Sequence, residues 1–259
     1  MKKTNWMKVQ NCKRVILSRV TLILSLCLCT VNFGLYGEDD FLSESELFDD
    51  FDEVYIVSDP LEPLNRVIFK FNDFIYMNGV RHVANVYVGV TPDFIEKAAV
   101  NFFQNLNYPV RLAGNLLQGR VKGAQIETER FIVNTTLGIG GIYRASNNFK
   151  RLQIAPEDVG QALGAWGFGE GPYLVLPFLG PSNLRDLIGL VGDRAVNPLD
   201  QPFTVIDDST WQIAIGATDY ITQSPDLMRL YIQARENAID LYSAFKSGYT
   251  DRRRAMIRD

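Results

Sequence analysis

Past Cys29 the sequence has no cysteine; its three are Cys12, Cys27 and Cys29. No disulfide can therefore staple the body of the chain, and a thiol nucleophile or a cysteine metal site is excluded there. Histidine is almost as scarce: His82, in GVRHVANV, is the only one. Triads and histidine metal sites need convergent partners, which one histidine lacks. There is no G-x-S-x-G elbow and no H-E-x-x-H. GFGEG at 167–171 lacks the Lys-Ser/Thr of a phosphate loop. Glu157 and Asp158 are adjacent carboxylates, but Pro156 before them suits the start of a helix. Nothing points to catalysis, a metal or a cofactor. An excess of either charge is missing as well, since residues 60–259 hold 20 bases and 20 acids. That balance leaves no nucleic-acid footprint. Clear alternation of apolar and polar residues is also absent, which predicts a mainly α protein.

Charge is instead concentrated at the amino end. Residues 1–37 carry six Lys/Arg and no acid, and VTLILSLCLCTV at 20–31 is apolar. Twelve residues are too few to span a bilayer as a helix and fit a secretory signal. We assign residues 1–37 to a signal peptide; a retained anchor is the alternative. Cys27 and Cys29 are candidate lipidation sites. A bacterial lipoprotein signal normally has a small residue before the modified cysteine, and here Leu26 and Leu28 stand there. An ordinary cut after LYG, near Gly37, competes with lipidation. Residues 38–59 then carry ten Asp/Glu and no base. Mutual repulsion makes 38–58 a disordered acidic tether. It has no glycine for a calcium-loop turn.

Helical patterns fill 59–246. Asp59-Pro60 predicts a start and Gly79 a stop, with Leu61, Leu64, Val67, Ile68, Phe71 and Ile75 at helical spacing. The added Phe69, Phe74 and Tyr76 make a face broad enough to be buried on several sides or to lie against lipid. Further starts fall at Thr91-Pro92, Pro109, residue 121, Ser182, Asp208-Ser209 and Ser224-Pro225, the last running to Lys246. No repeat or linker divides 59–247, leaving a basic tail at 248–259. One stretch resists the scheme. GPYLVLPFLGPSNLRD, at 171–186, is strongly apolar yet cut by Pro172, Pro177 and Pro181. Proline disfavours both helix interiors and central strands.

Several motifs in fixed order carry a resemblance. They are DPLEPLNRVIFKFND at 59–73, NYPVRLAGNLLQG at 107–119, RFIVNTTLGIGGIYRA at 130–145, EDVGQALGAWGFGEGPYLVLPFLGPSNLRD at 157–186, and Asn197-Pro198. Through them the sequence resembles the MlaA (VacJ) family of Gram-negative outer-membrane phospholipid-transport proteins. The resemblance implies a helical, ring-like domain with a central amphipathic channel, monotopic in the periplasmic leaflet of the outer membrane. It implies a noncatalytic conduit that removes mislocalised phospholipid from the outer leaflet and maintains lipid asymmetry. The implied partners are phospholipid, a trimeric porin and a soluble periplasmic carrier, which feeds an inner-membrane transporter. On this reading Leu174, Leu176, Phe178 and Leu179 form an irregular wall of the lipid path. Arg185 either binds a head group or pairs with Asp186. A porin-associated structural protein without transport is the alternative, and an envelope hydrolase comes third. Members are typically lipoproteins, so the leucines before Cys27 and Cys29 are a departure.

Overall fold

The computed structural model describes residues 57–199 and 208–258. The signal segment with Cys12, Cys27 and Cys29, and the acidic stretch up to Ile56, lie outside them. Nine α-helices and one hairpin are found among the described residues: α1 (Glu62–Ile75), α2 (Arg81–Val90), α3 (Asp93–Leu106), α4 (Tyr108–Leu117), α5 (Val121–Thr136), α6 (Val159–Ala165), β1 (Tyr173–Leu176), β2 (Gly180–Asn183), α7 (Leu184–Val196), α8 (Ser209–Asn237) and α9 (Leu241–Arg258). The class is mainly α, as expected. The two strands are antiparallel, with Tyr173 opposite Asn183 and Leu176 opposite Gly180.

Helix boundaries follow local chemistry where nothing distant competes. Pro92 precedes α3, Pro109 sits in the first turn of α4, and α5 ends before the glycines of LGIGG. Three expectations fail, the first for a tertiary reason and the others for local ones. Asp59 does not cap the first helix. Its carboxylate instead takes Asn65 Nδ2 at 2.8 Å, the Tyr242 hydroxyl and Lys246, so α1 begins at Glu62. Gly79 does not stop the chain, because a single π-turn, Tyr76–Val80, carries it into α2. Pro225 does not start a helix; α8 runs through it. Proline there removes the amide that would bond Ile221 O. Ser224 Oγ donates to that oxygen at 2.8 Å and fills the gap. The basic tail is helical too, since α9 continues to Arg258.

The core is rich in tyrosine. Tyr76, Val80 and Ala84 pack against Met228 and Tyr231 of α8, and Phe69 against Tyr173, Val175 and Tyr242. Tyr231 keeps its hydroxyl satisfied by donating to Asp73 at 2.8 Å. The opposite side of α1 is uncovered: Leu64, Val67, Phe71 and Phe74 are exposed. So are Val86 and Val90 of α2, Phe94 of α3, and Ile188 and Val191 of α7. The broad apolar faces read from the sequence are thus partly core and partly open surface. No described helix is long and apolar enough to cross a membrane.

Candidate functional site

The proline-cut stretch folds as the hairpin. In β1 the side chains alternate: Tyr173 and Val175 are buried, while Leu174 and Leu176 stand half-buried on the other face. Pro177, Phe178 and Leu179 make the turn. Phe178 has φ +66°, a left-handed conformation that costs a non-glycine residue about 1–2 kcal/mol. Its ring meets Phe71 of α1 edge-on at 5.3 Å.

A two-stranded hairpin leaves outer backbone groups unpaired, and such hairpins are marginal alone. Here α1 supplies the missing partners through side chains. Asn65 donates to Tyr173 O at 3.0 Å and accepts from Val175 N at 2.9 Å. Asn72 donates to Leu176 O at 2.9 Å and accepts from Phe178 N at 2.8 Å. The Tyr76 hydroxyl donates to Phe178 O at 2.8 Å. Residues 65, 72 and 76 share one helix face, so α1 acts as a third strand made of side chains. Tyr173 N adds a bond to Ser58 O at 3.1 Å. Sequence reading missed these pins. The signal was there, as two asparagines seven apart on an otherwise apolar helix face.

The far end of the hairpin is anchored by charge. Asn183 caps α7 by accepting from Asp186 N at 2.8 Å. Arg185 is 6% exposed and its Nε donates to Asp186 at 3.0 Å. The structure therefore gives Arg185 a carboxylate partner and places it in the first turn of α7, while Leu174, Leu176, Phe178 and Leu179 sit on β1 and the turn. Arg253 of α9 bonds both Asp186 and Asp158, the N-cap of α6. Burial would raise both carboxyls, yet the Arg253 charge and hydrogen bonds hold them below the usual range. His82 lies exposed on α2. Among the described residues no cluster of three His, Cys, Asp or Glu could hold a metal ion.

Residues 57–256 match the family described as MlaA lipoprotein. The chain belongs to the MlaA lipoprotein family. An uncharacterized protein of Rickettsia bellii is 30% identical over 246 residues, covering 93% of each chain. The intermembrane phospholipid transport system lipoprotein MlaA of Escherichia coli is 33% identical over 162 residues, 61% of this chain and 62% of that one. A solved structure described as a structural basis for maintenance of bacterial outer membrane lipid asymmetry superposes with a TM-score of 0.64 at 28% identity. It spans 77% of this chain and 99% of the other. The MlaA match covers the pins on α1, the hairpin and the Arg253 anchor alike.

Proposed function

We propose that this protein is a noncatalytic phospholipid conduit of the outer membrane. It takes mislocalised phospholipid from the outer leaflet and passes it to a soluble periplasmic carrier, with a porin trimer as its membrane partner. One observation carries the reading: the hairpin is rigidly pinned, yet Leu174, Leu176, Phe178 and Leu179 are left only half-buried on it. Apolar side chains on a pinned hairpin suit the wall of a path for acyl chains, because non-helical backbone is tolerated at membrane depth where protein pairs its polar groups. The exposed apolar faces of α1, α2 and α3 suit helices lying in one leaflet. Membership of the MlaA family, with relatives named for intermembrane phospholipid transport, supports the same reading. Residues 1–37 would direct export, and with a lipid on Cys27 or Cys29 the acidic 38–58 would tether the domain to the membrane.

The test follows one labelled phospholipid. The purified protein is expected to carry phospholipid and release it, uncleaved, to a periplasmic lipid carrier. Cells lacking the gene are expected to accumulate phospholipid in the outer leaflet. Bound lipid that never transfers would favour the porin-associated structural protein, and cleaved lipid would favour a hydrolase.

A further inference from the structure

Three carboxylates and two guanidiniums meet where α6, α7 and α9 join. Arg253 bonds Asp158 and Asp186, Arg185 bonds Asp186, and Asp193 bonds the backbone one residue past Asp158, a formal sum of −1. The junction is tight, since a Cβ on Gly189 of α7 would overlap the Gly160 backbone of α6. The hydrogen-bond donors are shared unequally. Asp158 accepts from Gln161 N and Nε2, and from Arg253 Nη1 and Nη2. Asp186 accepts from Asn183 Nδ2, the Tyr249 hydroxyl, Arg185 Nε, and Arg253 Nε and Nη2. Asp193 accepts one bond among the described residues, from Val159 N at 2.9 Å.

Other nearby charges are committed elsewhere. Glu157, ahead of α6, is held by Arg120 and Gln118. Arg111 of α4 bonds Glu127, and Arg254 of α9 bonds Glu170. Arg194, next along α7, gives Asp193 neither its Nε nor its Nη2. Asp193 is half-buried, and a carboxylate partly withdrawn from water beside a like charge holds its proton more tightly.

We propose that Asp193 is a proton-operated wedge between α6 and α7. Protonated, it lets the two helices close on the glycine contact. Ionised, it repels Asp158 and draws water into the joint, loosening the packing of α6 on α7 while the Val159 N–H bond still holds the amino end of α6. Burial first, and the Asp158 charge second, push the Asp193 carboxyl from the ordinary 3.8 up to about 7. The sign follows from linkage. The folded protein keeps a proton that the unfolded chain gives up near 3.8, so this stabilisation is complete below that pH and is lost as pH rises through about 7. The moving part is well placed. α6 is followed by its C-cap Trp166, whose indole donates to Leu117 O at 2.8 Å, and the chain then runs through Gly167 and Gly171 into β1.

The experiment compares the full chain and its Asp193→Asn variant in detergent, from about pH 5.5 to 8.5. It records the thermal midpoint and the NMR titration of labelled aspartate carboxyls. The wild-type midpoint should fall from about pH 5.5 to about 7 and level off above that, with one carboxyl titrating near 7. Asp193→Asn should lose that titration, hold its midpoint flat, and be the more stable protein at the alkaline end. An equal fall in both proteins, or wild-type carboxyls that all titrate below about 5, would overturn the proposal. So would a variant that is unfolded or less stable throughout, since asparagine mimics the protonated form. No readout involves lipid, so the result is independent of the conduit reading.

Discussion

Asn72 answers two backbone groups of the hairpin with one side chain, the donor end to Leu176 O and the acceptor end to Phe178 N. Few other side chains can do this, because the task needs an N–H and a carbonyl at one fixed spacing. Removing the amide strands both groups; each unsatisfied buried group costs about 1–3 kcal/mol. Asn72→Ala should therefore destabilise the protein by about 2–4 kcal/mol. Tyr76→Phe deletes one donor and should cost about 1 kcal/mol. Denaturant unfolding in detergent would measure both. Equal losses, or no loss for Asn72→Ala, would contradict the side-chain strand. The apolar run at 173–179 reads as irregular in the sequence because its prolines disfavour a central strand, yet 173–176 form a strand of a two-stranded hairpin and 177–179 its turn. Its docking was not legible, because the partners lie about a hundred residues away and a helical asparagine normally reads as surface.

At the scale of elements, the sequence revealed helix starts better than helix continuations. Pro92 and Pro109 acted locally and were read correctly. Ser224-Pro225 was misread because the hydroxyl that rescues Ile221 O keeps α8 intact. The 248–259 segment was read as a tail because its arginines look unpaired in one dimension; in the fold Arg253 and Arg254 find Asp158, Asp186 and Glu170. The α6–α7 joint was equally hidden. Nothing in the sequence around Gly160 and Gly189 marks them as partners, but they are where two backbones touch. An added methyl at Gly189 has no space, and overpacking typically costs about 1–3 kcal/mol. Gly189→Ala should lower the unfolding midpoint, whereas Gly79→Ala, whose Cβ meets nothing within 4 Å, should not. A similar loss at both positions would show that glycine matters there for backbone freedom and not for contact.

The whole molecule pairs a tightly bonded interior with an apolar exterior. Buried polar groups are largely matched; Glu127, fully buried, is held by Arg111 and Arg130. Exposed leucines, valines and phenylalanines lie on helices that cannot cross a bilayer. An arrangement of this kind is stable where lipid covers the outside. The hairpin is where lipid path and ordinary packing can be told apart. Leu176 and Phe178 are half-buried, and Phe178 rests on Phe71, itself exposed. If they line a path for acyl chains, an arginine there repels the tails through the cost of desolvating its charge. The guanidinium would also stay solvated by reaching for water, so the fold would be little disturbed. Leu176→Arg and Phe178→Arg should then lose most bound phospholipid, with thermal midpoints close to wild type. If the side chains are ordinary core, the same changes bury an unpaired charge and should cost about 3–5 kcal/mol. Bound lipid and unfolding midpoint are therefore measured together on each variant. A collapsed midpoint, or full lipid occupancy in a stable protein, would remove the hairpin from the lipid path.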